Sequence, residues 1–494
     1  MEPNSSQLSD DKRLRSFGYE PQLDRSMGAW NSFSISISCM CVTAGIFTTY
    51  AYAIGLVGPI FVWTWLIVSI GQIVIALVLA ELAGRMPISG YAYQWTSRLM
   101  NSHYGWFVGW LGLMAFIPGF TGLNFGLAPV LLNVLGIEPS TATVLIVVFV
   151  VTLSQLAINV AGVKIASKIN SGVAFVVEIG LSVVMTVILL VVGFITNPVQ
   201  SPSFLTTNST GGSGLITALV LSSLLAMWVL TGFEGAADLA EETKMATHHV
   251  PQAVIRSLIF AVVIGFAMII AFTINIPDVS EAASGGPSYI LESALGHAGA
   301  TLFEGIAIVA LYAGGLANMA AASRLTFSMA RDNMLPGSKT LQKVSTRRAP
   351  AAALYLVTGI ALILALLGNY VSAEAVGFIV GMAAVGYYGV YGLTVLAVIV
   401  AARRGGLSED SGFSLGKYAG AVRLVALVWS AAVLVCLIVP EGNRKPAMVG
   451  VAFLVLATIW WVAVLRGRLS RGEAGVPASL IVDEDPNAER VLTN

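Results

Sequence analysis

The chain has 494 residues, of which 56% are hydrophobic and only 11% charged, and its 26 basic and 26 acidic side chains leave a net charge of +0. A soluble protein carries about 25% charged residues, so these charges are too few to cover a water-soluble fold of this size. A balanced charge gives no footprint for nucleic acid, and the solvent for most of the length is lipid.

A spanning helix needs about 20 mostly apolar residues. Twelve such runs are predicted, near 30–54, 58–83, 104–133, 141–163, 169–195, 215–240, 252–276, 300–332, 350–369, 374–402, 421–440 and 446–466. A polar arm, 1–28, precedes them. It ends without a short apolar core and small-residue cleavage site, so no cleaved leader is expected.

The first span holds a weak joint, "CVTAGIF", Cys41 to Phe47, after the serine-rich "NSFSISISCM". Cys39 and Cys41 lie about 200° apart on a helix. With Cys436 as the third cysteine, neither a disulfide framework nor a metal site is expected. Glu81, at the end of the second span, stands four residues before Arg85 and reads as a structural ion pair. Asn124 in the third span is a candidate cavity residue. Glu178, some ten residues into the fifth, is an intramembrane carboxylate. It either binds a proton, a cation or a substrate ammonium, or pairs with a polar group on a neighbouring helix. The loop after the fifth span carries a glycosylation sequon at Asn208.

The sixth span has its own joint, "MWVLTGFEGAADLAEET", where Thr231-Gly232-Phe233-Glu234-Gly235 interrupts the apolar run. Spans one and six correspond if the first ten helices form two five-helix repeats. Paired interruptions of this kind point to a transporter site. A half-helix starting at Gly45 would aim the N–H groups of Gly45, Ile46 and Phe47 at an anion such as a carboxylate. Helix ends near Cys41 and near Trp228 to Thr231 would offer carbonyls to an ammonium. The plainer reading, that the glycines only permit close helix packing, is outweighed by their paired placement. Glu234 either couples or gates transport or accepts backbone N–H groups of the unwound segment. In the eighth span, Asn318 with Gly314 and Gly315 is placed beside the carbonyls of span one. Asp238, Glu241 and Glu242 on the inner half of span six, with Arg324 and Arg331 at the end of span eight, read either as an intracellular gate of opposite charges or as solvated helix ends. Tyr387, Tyr388 and Tyr391 in the tenth span either close an outer vestibule or belong to an interfacial aromatic belt.

With the N-terminus in the cytoplasm, all Lys and Arg but Arg444 and Lys445 fall on the inner side. This one-sided bias supports the count of twelve. The chain shows no His-Glu-x-x-His run and no repeated selectivity-filter motif, which leaves an intramembrane metalloenzyme and a channel without support.

Several stretches carry a resemblance. "FGYEPQLDRSMGAWNSFSISIS" (17–38), "GLVGPIFVW" (55–63), "AELAGRMPISGYAYQW" (80–95), "GFEGAADLAEET" (232–243) and "ASRLTFSMARDNMLP" (322–336) resemble the amino acid–choline transporter family. That family, with its γ-aminobutyrate and choline permeases, belongs to the amino acid–polyamine–organocation permeases. The resemblance runs from Phe17 to about Leu465. It implies an all-α polytopic membrane protein with 12 transmembrane helices: a leucine-transporter-like 5+5 inverted repeat, discontinuous in helices 1 and 6, plus two C-terminal helices. The expected units are the arm 1–28, the repeats 29–202 and 203–402, helices 11 and 12 over 403–466, and a tail 467–494.

The implied function is secondary active transport of an amino acid or related amine by alternating access, in the plasma membrane, with both termini cytoplasmic. No enzyme activity, cofactor or metal is implied beyond a coupling proton or sodium ion. The implied partners are the small-molecule substrate and the bilayer, with no nucleic acid. "TAGIF" stands where relatives bind the substrate carboxylate, with Ala44 in a place held by serine in some of them. Carboxylate binding is then left to backbone N–H groups and Thr43. Trp228 and Phe233 match aromatics that cover the substrate. The expected substrate residues are Cys41, Thr43, Ala44, Gly45, Ile46, Trp228, Thr231, Gly232 and Phe233; Glu178, Glu234 and Asn318 are expected to couple or gate.

Overall fold

Eleven helices among the described residues are long and apolar enough to cross a membrane: Ala29–Val57, Pro59–Arg85, Ser102–Val134, Thr141–Val160, Ile179–Thr196, Ala246–Ile274, Val279–Arg331, Ala351–Gly368, Gly377–Arg403, Gly416–Ile438 and Ala447–Ser470. A shorter apolar helix, Leu215–Val229, stands where the sixth span is predicted. The computed structural model describes residues 5–210, 214–346, 348–371, 375–405, 407, 412–440 and 444–477. Among them the chain is helical, apart from turns and one isolated parallel bridge between Met27 and Thr243.

Burial sorts the spans. The most apolar window of Ser102–Val134 is 83% buried, against 17% for Ala447–Ser470. The third span is therefore a central pillar, while the last faces lipid with side chains such as Val451, Leu456 and Val462. Small residues let helices approach. A Cβ on Gly71 would strike the indole of Trp429, and one on Gly265 that of Trp65. Trp65 instead donates from Nε1 to the Val262 carbonyl at 3.0 Å and ties spans two and seven. Tyr50 and Thr273 join spans one and seven through their hydroxyls, 2.7 Å apart.

The structure departs from the predicted elements in four places. The sixth span does not run to residue 240. After Leu224–Val229 comes irregular backbone, then one turn at Gly235–Asp238 and a 3-10 turn at Ala240–Glu242. The fifth span is α-helical over Val163–Val173 and Ser182–Val191, with π-helical turns at Ala174–Leu181 and Val192–Thr196. The eighth helix begins early, at Val279, and bends at Gly286 and Gly296, whose φ values are 61° and 71°. Between spans two and three lies a buried helix, Tyr91–Leu99, in a stretch without an apolar run.

The polar arm is structured. It forms the helix Ser5–Ser16 and then a strap across one mouth of the bundle. Met27 N–H donates to the Glu242 carbonyl (2.9 Å), and Lys244 N–H to the Met27 carbonyl (2.8 Å). Tyr19 donates its hydroxyl to Asp332 at 2.7 Å, under the Arg331 guanidinium, 3.6 Å from its ring centre. Burial, with Asp332 beside it, pushes the Tyr19 phenol well above its ordinary pKa, so it stays a donor. Arg25 donates to the Thr243 carbonyl (2.9 Å) and meets Asp11 (3.3 Å).

Candidate functional site

The first span breaks at one residue. Ala29–Met40 ends and Val42–Val57 begins at Cys41, a non-glycine residue with φ 48° and ψ 61°. The left-handed region is rarely occupied by such a residue. The second half-helix therefore starts three residues before Gly45. The Gly45 N–H donates to the Cys41 carbonyl at 2.8 Å, and Ile46 and Phe47 lie inside the helix. This corrects the expected anion site, since the first-turn amides of this half-helix belong to Val42–Ala44. Gly45 has a packing role. A Cβ there would sit 2.7 Å from Val229 Cγ2, on the first half of the sixth span, while its carbonyl accepts from the hydroxyls of Thr48 and Thr49.

The sixth span opens between Val229 and Gly235. Thr231 folds back on Trp228, giving both its N–H (3.1 Å) and its hydroxyl (2.7 Å) to the Trp228 carbonyl. Gly232 has φ 88°, and a Cβ there would lie 3.0 Å from the carbonyl carbon and oxygen of Cys39. The Ala236 N–H donates to the Ser36 hydroxyl at 3.2 Å. The two interruptions thus touch backbone to backbone, at Gly232 and Cys39.

Neighbouring spans fasten this joint. Asn318 donates to the carbonyls of Cys39 (2.9 Å) and Gly314 (3.0 Å) and accepts from the Tyr387 hydroxyl (3.1 Å). Cys41 donates its thiol to the Ala310 carbonyl (2.9 Å). The hydroxyl of Thr43 lies 2.6 Å from that of Ser182 in the fifth span. The Tyr391 hydroxyl reaches both carboxylate oxygens of Glu234, at 3.0 and 2.9 Å, and its ring stacks on Phe233 with centroids 5.5 Å apart. Trp228 lies over the Gly119 position, 3.6 Å from a Cβ built there, and 6.4 Å from the Tyr387 ring. Cys41, Thr43, Ala44, Ile46, Phe233 and Glu234 are fully buried, and Trp228 and Thr231 nearly so. The joint is shut off from solvent.

Two expectations are corrected here. Tyr387 and Tyr391 are joint residues, not an outer vestibule, and the Tyr388 ring packs edge-on against Tyr391. Asn124 does not line the joint. It exchanges amide hydrogen bonds with Gln155 (2.9 Å each way) and donates to Thr152, tying span three to span four. Gly315 leaves room for that pair, since a Cβ there would stand 2.7 Å from Asn124 Oδ1. Glu178 lies in the π-helical turn Ala174–Leu181, and its side chain lies outside the described residues.

Two buried ion pairs lie on the side that carries the arm. Arg324 Nε meets Glu242 Oε1 at 2.8 Å, and Arg331 Nη2 meets Glu241 Oε1 at 2.9 Å. The anticipated opposition of charges resolves into these two pairs, and Asp238 belongs to neither. Glu81 pairs with Arg85 (2.9 Å), as its spacing suggests, and also with Arg423 (2.7 Å). Arg423 comes from the eleventh span, and no local pattern announces that partner.

A model of the amino acid permease family matches residues 27–464. Similar proteins include an amino-acid permease BAT1 homolog of Oryza sativa subsp. japonica, 26% identical over 91% of this chain and 92% of that protein. Amino-acid permease BAT1 of Arabidopsis thaliana is 26% identical over 92% of this chain and 94% of its own length. Amino-acid permease 2 of Neurospora crassa is 26% identical, with 92% and 88% covered.

Proposed function

This chain belongs to the amino acid permease family, a polytopic membrane protein built to move a small molecule, and on that premise we propose that it imports an amino acid or related amine by alternating access. The proposed fold is a leucine-transporter-like 5+5 repeat of twelve spans, with Leu215–Val229 and the segment after it forming the sixth. The amino acid–choline branch, which includes γ-aminobutyrate carriers, is the proposed branch of the family. The membrane is the plasma membrane, and the arm lies in the cytoplasm, as the one-sided distribution of Lys and Arg supports.

The observation that carries this reading is the contact of the two interruptions, Gly232 against Cys39. Interrupted backbone at membrane depth is tolerated where it is buried in protein or lines a cavity, and two such segments facing each other serve a guest with two unlike ends. The substrate carboxylate takes the first-turn amides of Val42–Ala44, where the half-helix dipole is positive. Its amino group takes carbonyls at the ends of Ala29–Met40 and Leu224–Val229. Trp228 covers it, while Phe233, stacked on Tyr391, braces the floor. Separation of the Glu242–Arg324 and Glu241–Arg331 pairs then opens the joint to the cytoplasm.

The test is a counterflow screen on purified protein in liposomes, with α-amino acids, γ-aminobutyrate, choline and polyamines as competitors. Saturable exchange inhibited by molecules carrying both a carboxylate and an amine supports the reading. Inhibition by choline and polyamines alone would remove the carboxylate site from it.

A further inference from the structure

Four acids stand in and just after the sixth-span interruption: Glu234, Asp238, Glu241 and Glu242. Glu234 accepts from Tyr391, Glu241 holds Arg331, and Glu242 holds Arg324. Asp238 is fully buried, yet neither of its carboxylate oxygens has a hydrogen-bond partner among the described residues. It sits on the single helical turn Gly235–Asp238, between the joint and the gate. An ionised carboxylate without a donor is strongly disfavoured in such a setting. A bound proton removes that cost.

The groups that face Asp238 from each packed element do not supply a counter-charge. Glu234, on its own segment, is another acid. Cys39 of the first span, Tyr91 of the helix Tyr91–Leu99 and Tyr387 of the tenth span are neutral groups within electrostatic reach. Arg324 of the eighth span is the cation nearby. Its Nε and Nη2 are directed at Glu242, and its Nη1 at the Ser323 hydroxyl (2.9 Å). The Tyr91 hydroxyl, also buried, has no partner among the described residues.

We propose that Asp238 is the binding site of a proton that crosses with the substrate. With the gate closed, Asp238 holds the proton as a neutral acid. When the Glu242–Arg324 pair parts, water reaches Asp238 and Arg324 becomes free to balance its charge, so the proton leaves toward the cytoplasm. Protonation favours the closed gate and ionisation favours the open one, which couples the two equilibria. A fresh proton enters from the opposite face, through the joint and past Glu234. The assignment rests on the permease reading and adds which residue holds the coupling ion.

The test uses the full chain in liposomes loaded with a pH-sensitive dye, with a radiolabelled mixture of amino acids and γ-aminobutyrate as the probe. One proton per substrate makes an acid-outside gradient of one pH unit worth about tenfold accumulation. Wild type is expected to show that accumulation together with substrate-dependent internal acidification. In Asp238→Asn, counterflow, which moves no net proton, persists, while the tenfold accumulation and the acidification are lost. Asp238→Ser is read in the same way should the amide variant not fold. Asp238→Glu retains accumulation. Gradient-driven accumulation in the neutral Asp238 variants overturns the proposal, as does wild-type accumulation indifferent to the gradient. Absence of any counterflow in wild type is a different result and overturns the permease reading itself.

Discussion

A single hydrogen on Gly232 lets the two interrupted spans meet. Its φ of 88° and the 3.0 Å from a built Cβ to the Cys39 carbonyl leave no room for a methyl group. The left-handed conformation alone costs an alanine roughly 1–2 kcal/mol, and the obstacle is backbone, which cannot swing away. Gly232→Ala is therefore expected to cut initial uptake at least about tenfold and to lower the melting temperature in detergent. Gly28→Ala, which meets open space, serves as the control and stays at wild-type level. Asn318→Ala strips a donor from the Cys39 carbonyl and an acceptor from Tyr387. Leaving such buried groups unpaired costs about 1–3 kcal/mol, readable as earlier thermal unfolding; an unchanged melting curve would free Asn318 from this role. "TGFEG" announced the sixth-span joint because glycines flank a carboxylate in an apolar run. At the first-span joint the end near Cys41 is legible, but the second half-helix starts at Val42, three residues before the expected Gly45. Gly45 draws the eye, but it is a packing glycine, and the break falls at Cys41, whose left-handed φ no propensity marks.

At the scale of elements, the gate between the sixth and eighth spans is made of buried ion pairs, and these are asymmetric in their energetics. Removing one partner strands the other charge, a loss of about 3–5 kcal/mol. The side chains of Arg324 and Glu242 are 1% and 0% exposed, so Arg324→Ala is expected to destabilise the closed gate by that order. Cys39 lies behind it, 5% exposed. Its labelling by a thiol reagent added from the arm side should accelerate in Arg324→Ala and slow again in Arg324→Ala with Glu242→Gln. Equal labelling in all three proteins would mean that the pair does not hold the gate. The opposed charges were legible as a group, because acids end one apolar run and arginines another. Which acid takes which arginine depends on the 3-10 turn at Ala240–Glu242, and that turn has no sequence period. The helix Tyr91–Leu99 escaped for a related reason: it is too short and too polar to register as a span, and it is buried only by the arm and its neighbouring spans.

For the whole molecule, composition and apolar run length suffice to place the chain in lipid and to locate most spans, since burial in hydrocarbon leaves little freedom in length. They say nothing about the arm, which Arg25, Tyr19 and Met27 fasten to Thr243, Asp332 and Glu242, residues distant in sequence. Removing residues 1–28 is expected to leave the spans folded and to open the mouth it crosses, with faster arm-side labelling of Cys39 than in the full chain. Labelling at the full-chain rate would make the arm a passenger. The account as a whole depends on a guest held between two interrupted spans. A cryo-EM map of the full chain in nanodiscs, with a saturating concentration of the best competitor from the counterflow screen, tests this directly. The account predicts density with its carboxylate at the Val42–Ala44 amides and its amine at the carbonyl ends facing Trp228. Density bound elsewhere, with Gly232 and Cys39 still in contact and nothing between the broken spans, would contradict it.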